Sequence, residues 1–284
     1  MRAALVLLAL IVLALRPDAV AAESARVLNH PAAESQGDLR GAYPLTVLTA
    51  ALERSGTRAV LQPIAVRASQ ERVLRLIEAG TLQVGWSMAS AEREQRLGMV
   101  PFPVDRGLLG WRLLLARRGE LHRFAGVEDR RALRPFRVAQ GHDWPDLAIL
   151  AANGLPTTAA VGYDSLFAML ALGRVDYLAR AASEAERERV ERASLDLAIV
   201  PGIVLRYRSA LVFYVHRDDV ALRDAIGRGL EAMLADGSLE RLFVEAYGAD
   251  LALLRAPTLR PIELDNPLAA PGLDAAPPAA WWTP

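Results

Sequence analysis

The 284-residue chain has no cysteine, no lysine, only 6% aromatic residues and no net charge, its 33 arginines balancing 33 acidic side chains. Without cysteine it can form no disulfide, no thiolate nucleophile, no cysteine-ligated zinc site and no N-terminal cysteine lipid anchor. The charge balance argues against a nucleic-acid partner, whose phosphates call for an excess of cations. Its four histidines, His30, His122, His142 and His216, show no metal-ligand spacing such as His-x-x-x-His. A Gly-x-Ser-x-Gly elbow and a phosphate loop are also missing. What is abundant is apolar material, 52% of the chain, enough for a sizeable core.

The N-terminus has one positive charge at Arg2, an apolar run from Ala3 to Leu15, and the small residues Ala19-Val20-Ala21-Ala22 after Arg16-Pro17-Asp18. That is the layout of a secretory signal peptide over 1–22, cleaved near Ala22. The run falls short of the roughly 20 apolar residues of a membrane span, and no later run is comparable. The mature protein is expected to be soluble and exported.

From Arg26 onward, short extended runs alternate with amphipathic stretches. Val27-Leu28 predicts a strand, Pro44 opens a helix carrying Leu45, Leu48 and Leu52, and Gly56 ends it. Ala59–Val66 predicts a strand, Val73 to Ile77 a helix closed by Gly80, and Val84–Met88 another strand. The rhythm returns with a strand at Phe136–Ala139, a helix behind Pro145, a helix capped by Asp164, and a strand at Val175–Leu178. Ser183 with Glu186 reads as a capping box. Two final helices, Val220–Leu234 and Leu239–Tyr247, flank Asp236-Gly237-Ser238. Alternation of this kind implies α/β architecture with mostly parallel sheets. Two apolar runs, Leu108–Leu115 and Ala210–Val215, interrupt it and are expected to pair as crossing strands between two lobes. The tail from Pro257 to Pro284 holds 7 of the 17 prolines and predicts an extended strap whose Trp281-Trp282 tip docks on the body.

At Leu76-Ile77-Glu78-Ala79-Gly80, Ser90-Ala91-Glu92-Arg93, Gln140-Gly141-His142-Asp143, and Tyr163-Asp164-Ser165-Leu166 through Leu172-Gly173-Arg174-Val175-Asp176, the chain resembles the family-3 periplasmic solute-binding proteins. The order and spacing of these stretches span about Arg26 to Leu251. The resemblance implies the type II periplasmic-binding fold of amino-acid importers: two α/β lobes, each a mostly parallel sheet flanked by helices, joined by two crossing strands. The expected division is a signal peptide at 1–22, a first lobe at 23–108 resuming at 210–256, a second lobe at 109–209, and the strap at 257–284.

By the same resemblance, the family's carboxylate-gripping arginine falls on Arg93, with Ser90 capping the short helix before it and Ser87 and Trp86 beside it. A guanidinium fork meets both oxygens of a carboxylate, although a surface role is the commoner fate of an arginine. The second lobe's contribution falls on Gly141, His142, Asp143 and Trp144, where free backbone N–H groups at a helix start attract anions. The family has a small hydroxyl residue where His142 stands, and Asp143 either lines the cleft or caps the helix. The family's ammonium-pairing aspartate is replaced by Ala181, beside Arg180, and Glu184 compensates only if it turns inward. These departures point to an anionic or aromatic solute, with Trp86, Trp111 and Trp144 as flat surfaces or as packing.

The expected function is periplasmic binding of a small solute by hinge closure, for an ABC-type membrane permease or for a separate membrane sensor. No cofactor, metal or nucleic acid is expected, and nothing calls for more than a monomer. An enzyme on this fold, a dehydratase or a murein-cleaving enzyme, would use His142 and Asp143 or Glu184 as acid and base. That reading ranks below a binding role.

Overall fold

In the computed structural model, residues 25–33, 40–65 and 69–284 are described. The expected signal peptide at 1–22, and Val66 at the end of a predicted strand, lie outside them.

The first stretch runs β1 (Arg26–Pro31), α1 (Ala42–Arg54), β2 (Ala59–Ile64), α2 (Gln70–Glu78), β3 (Val84–Met88), α3 (Ala91–Arg96) and β4 (Gly98–Met99). The middle continues with β5 (Trp111–Arg117), β6 (Val138–Gly141), α4 (Pro145–Ala152), β7 (Thr157–Ala160), α5 (Tyr163–Ala171), β8 (Tyr177–Ala181), α6 (Ala182–Glu191) and β9 (Leu197–Arg206). The chain then returns through β10 (Leu211–Val215), α7 (Val220–Ala235), α8 (Ser238–Leu254) and β11 (Arg260–Glu263).

These strands make two lobes. One holds the parallel pair β1-β2 and the sheet β3-β10-β4, in which β10 is antiparallel to both neighbours. The other holds a six-stranded sheet in the order β11-β9-β5-β8-β6-β7. Here β6 runs parallel to β7 and β8, and β11 parallel to β9, while β5 is inserted antiparallel between β8 and β9. Apolar periodicity produces the helices that cover these sheets: Val47, Leu48, Ala51 and Leu52 of α1 pack with Leu222, Ile226, Leu230 and Met233 of α7 in one core. A second core lies on one face of the six-stranded sheet, around Leu114, Val138, Tyr177 and Leu205. Leu115, Leu166, Phe167 and Leu178 fill the opposite face.

The two apolar runs do not pair with each other as expected. β5 and β10 belong to different sheets, and the run from Leu108 begins with a 3-10 turn, Leu108–Gly110, before β5 starts at Trp111. The chain crosses just ahead of each strand instead. Val104 N–H donates to Leu211 carbonyl at 2.9 Å and Tyr207 N–H to Gly110 carbonyl at 3.1 Å. A Cβ on Gly110 would overlap the Tyr207 carbonyl, so glycine is needed for this close approach. Asp105 ties the crossing together, its carboxylate accepting from Gly107 (3.1 Å), Leu109 (2.6 Å) and Leu211 (2.9 Å) N–H.

Other local expectations shift as well. The strand predicted at Phe136 starts at Val138, because Phe136 leaves the ladder to stack on Phe124 at 4.4 Å. Ser183 does not cap α6; the helix begins at Ala182, and Glu184 reaches back to accept from Ala181 N–H at 3.3 Å. α5 follows Gly162 with no side-chain cap from Asp164. At the tail, β11 adds to the edge of the six-stranded sheet, and Trp282 is buried against Trp111 with ring centroids 5.6 Å apart. Among the described residues no helix is long and apolar enough to cross a membrane.

Candidate functional site

A cavity of about 630 Å³ lies between the lobes. The first lobe lines it with His30, Arg40, Trp86 and Met88, the crossing with Asp105, and α8 with Tyr247. The second lobe supplies Arg112, Trp144, Asp146 and Arg180, and α6 adds Ser183, Glu184 and Arg187. The size falls within the roughly 300–1,000 Å³ common for small-molecule sites.

Two buried ion-pair groups form the second-lobe wall. In the first, Arg112 Nη2 lies 2.5 Å from Asp146, and its Nε donates to the Tyr207 hydroxyl at 2.8 Å. Tyr207 in turn donates to Asp146. In the second, Arg180 donates through Nε to Glu188 (2.8 Å) and through Nη2 to Glu188 (2.7 Å) and Glu184 (2.9 Å). The Tyr163 hydroxyl donates to Glu188 at 2.6 Å. Burial alone would raise the Glu184 carboxyl, but Arg180, Arg112, Arg40 and Arg187 together hold it below its ordinary range. Asp105 has no such company, and burial pushes it up to about 6 despite its three backbone donors.

Of the sequence-derived candidates, Trp86, Trp144, Arg180 and Glu184 line the cavity; Arg93, Ser90, Ser87, Gly141, His142 and Asp143 are not part of its lining. Ser90 does cap α3, its hydroxyl accepting from Arg93 N–H at 3.3 Å. That cap sets the Arg93 side chain inward, where it is 3% exposed and its donors are taken up within the protein. Nη1 donates to Ser87 Oγ (2.9 Å) and Met88 carbonyl (3.0 Å), and Nη2 to Gln70 Oε1 (3.0 Å) and Asp143 carbonyl (3.5 Å).

The backbone donors expected at Gly141–Asp143 are largely spent: His142 N–H donates to Ala160 carbonyl at 3.0 Å and Trp144 N–H to Gly141 carbonyl at 3.1 Å. Gly141 instead lets the Trp144 indole fold back over it, since a Cβ would meet the ring at 2.6 Å. From there Trp144 faces the Arg180 guanidinium, whose carbon is 4.8 Å from the ring centroid. Asp143 neither caps its own helix nor lines the cavity. Its carboxylate accepts from Glu71 N–H of α2, in the other lobe, at 3.1 Å. The side chains of Arg40 and Tyr163 also meet across the lobes, with the guanidinium carbon 4.6 Å from the ring centroid.

Sequence reasoning missed Arg112, Asp146, Arg187, Arg40, His30 and Asp105. Arg112 left a signal: it is the charged residue inside the apolar run Leu108–Leu115, and a cation in a buried strand needs a partner. Asp146, just after Pro145 at a helix start, reads locally as an end-of-helix acid, and only the tertiary fold brings Arg112 to it.

No family model and no curated protein matches the sequence. Solved structures do match over most of the chain. An ancestral arginine-binding protein bound to arginine superimposes with a TM-score of 0.60 at 14% identity, covering 78% of this chain and 98% of its own. A histidine kinase sensor domain with similarity to periplasmic binding proteins gives 0.61 at 17%, covering 79% and 96%. A His/Glu/Gln/Arg/opine family-binding protein from Silicibacter pomeroyi in complex with lysine gives 0.59 at 13%, covering 78% and 98%. The chain therefore has the two-lobed type II periplasmic-binding fold, in agreement with the resemblance read from its motifs. At these identities the likeness defines the fold.

Proposed function

We propose that the chain is exported and binds a small amino-acid-class solute in the cavity between its lobes, which close around it for recognition by a membrane partner. The observation that carries this reading is the cavity itself, lined from both lobes and rich in charge. The solute expected from sequence was anionic or aromatic. The solved neighbours, bound to arginine and to lysine, instead support an amino acid with a cationic side chain. Within the cavity, the Trp86 face suits such a cationic end. Arg112, Arg180 and Arg187 suit a carboxylate.

Transport and sensing share this binding step. The likeness to a histidine kinase sensor domain supports sensing through a separate membrane protein as a second reading. The chemistry of the wall favours binding over turnover: Glu184 is held below its ordinary range by its arginine neighbours, Asp146 is engaged by Arg112 and Tyr207, and His142 stands outside the lining.

Native mass spectrometry of protein purified from its own periplasm, followed by titration calorimetry of arginine, lysine, glutamine, dicarboxylates and aromatic acids, tests the proposal. A basic amino acid should bind most tightly and be recovered unchanged. A dicarboxylate or aromatic acid binding more tightly than every amino acid would overturn it.

A further inference from the structure

At its α6 end the cavity is lined by an acid and a base that the fold leaves partly open. Glu184 and Arg187 stand three residues apart on α6, a spacing that puts them on one face of the helix, and both line the cavity. Glu184 spends only one carboxylate oxygen inside the protein. Its Oε2 accepts from Arg180 Nη2 at 2.9 Å and from Ala181 N–H at 3.3 Å, while Oε1 accepts from none of the described residues. The side chain keeps 15% of its exposure. Burial opposes its charge, but Arg180, Arg112, Arg40 and Arg187 keep it ionised. The Arg187 side chain keeps 29%, and its terminal nitrogens donate to none of the described residues; its contact with a carboxylate is a long one, Nε to Glu191 at 3.7 Å. Asp250 of α8 feels the Arg187 charge without forming an ion pair with it. The other arginines of this wall are sealed in: the Arg112 and Arg180 side chains are 3% and 1% exposed, held by Asp146 and by Glu184 and Glu188.

We propose that Glu184 and Arg187 together read the head group of the solute, the Arg187 fork receiving its carboxylate and Glu184 Oε1 its α-ammonium. This rests on the solute-binding reading above and specifies which residues recognise an amino acid within it. The two charges of an α-amino acid sit on one carbon, and α6 meets them with opposite charges about one helical turn apart. Among the described residues no ion pair joins Glu184 to Arg187, so neither has to be pulled from the other. A guanidinium fork meets both oxygens of a carboxylate. Asp146 does not compete for the ammonium, being engaged by Arg112 and Tyr207. Arg93 does not compete for the acid, since both of its terminal nitrogens already donate within the protein. Across the cavity, Trp86 beside His30, their ring centroids 6.0 Å apart, offers a face for an ammonium or guanidinium tail. A solute held by its head on the second lobe and its tail on the first favours closure.

Titration calorimetry compares L-lysine with cadaverine, which lacks the carboxylate, and with ε-aminocaproic acid, which lacks the α-ammonium. L-arginine, agmatine and δ-guanidinovaleric acid form the parallel set. Wild type should prefer each amino acid over both of its analogues. Arg187→Gln should reduce the preference over the amine by about tenfold or more, the loss of a charged hydrogen bond, and keep the preference over the deaminated acid. Glu184→Gln, which retains an oxygen for Ala181 N–H and leaves Arg180 with Glu188, should do the reverse. A structural disturbance moves both preferences together, so the crossed pattern separates recognition from misfolding. Arg93→Lys should keep both preferences even where every affinity falls. Either preference surviving its own variant, both falling together in each variant, or the carboxylate preference vanishing in Arg93→Lys would overturn the assignment. A wild type that binds the amino acids no better than their analogues would also overturn it, with the solute-binding reading left standing. A wild type that binds none of the six compounds would sink that reading, and this assignment with it.

Discussion

Arg93 and Asp143 come from different lobes and meet where the lobes touch: Arg93 Nη2 lies 3.5 Å from the Asp143 carbonyl oxygen, and the Asp143 carboxylate accepts Glu71 N–H at 3.1 Å. Gln70, at the start of the same helix as Glu71, accepts from the same Nη2 at 3.0 Å. Two residues that read from sequence as ligand contacts thus form a clasp between the lobes. Such a clasp acts on solute affinity through the open–closed equilibrium, because contacts made only in the closed form raise its population.

Arg93→Ala should therefore destabilise the fold as well as weaken binding. Burial already pulls the Arg93 guanidinium below its ordinary range, so its hydrogen bonds are what hold it in place. Removing it leaves the Ser87 hydroxyl without this donor and the buried Met88 carbonyl with only the Tyr214 hydroxyl at 3.3 Å, at about 1–3 kcal/mol. Urea denaturation measures this directly. A midpoint equal to wild type would return Arg93 to the role of a gripping residue with no part in the architecture.

Asp143→Ala separates the clasp from the core. Asp143 contributes one cross-lobe acceptor at the start of α2, a contact comparable to a helix cap at about 1 kcal/mol. The substitution should lower solute affinity several-fold while shifting overall stability little. Small-angle scattering of the unliganded variant should report a larger radius of gyration. If it matches wild type, the contact does not hold the lobes together.

The fold was legible in the sequence because periodicity and punctuation are local. Gly56 and Gly80, each expected to end a helix, and Gly237, in the expected break between the last two helices, adopt positive φ, and Val84–Met88 is a strand over the full predicted range. The crossing was misread because Leu108–Leu115 and Ala210–Val215 look alike as apolar runs, and only long-range pairing assigns them to different sheets. The site was less legible for the same reason. Arg112 and Asp146 are 34 positions apart in the numbering and form an ion pair only once β5 is inserted next to β8, whose other neighbour β6 leads into α4. Arg180 was visible through its place beside Ala181, whereas its pairing with Glu188 depends on the turn into α6 that the sequence suggested would start at Ser183.

The strap is expected to act as a brace across the hinge. β11 joins the second-lobe sheet, the Leu268 carbonyl accepts from Ala91 N–H at 3.0 Å in the first lobe, and Trp282 N–H donates to the Arg106 carbonyl at 2.8 Å in the crossing. Trp282→Ala removes a ring packed edge-on against Trp111 and should cost about 3–5 kcal/mol. Thermal unfolding of this variant beside a Trp281→Ala control checks the claim. Equal, small effects from the two would mean that the tip only rests on the surface.

Asp105 makes the stability of the crossing depend on pH, and the sign is fixed by its environment. Burial raises its carboxyl from 3.8 to about 6, with the Leu211, Leu109 and Gly107 N–H groups opposing the rise. Between about pH 4 and 6 the folded protein therefore holds a proton that the unfolded chain has released. Stability contributed by this group is present at the acid end of that window, is lost as pH rises through it, and changes no further above it. A displacement of this size corresponds to on the order of 3 kcal/mol. Other carboxylates act in the opposite sense, Asp219 and Glu184 being held low by arginine partners against the effect of burial. The readout is consequently the difference between wild type and Asp105→Asn. From pH 4 to 6.5, wild type should lose stability relative to the variant, whose amide does not titrate. Parallel denaturation curves at every pH would mean that the buried carboxyl keeps its ordinary affinity for the proton, with the three backbone donors fully offsetting the loss of solvent.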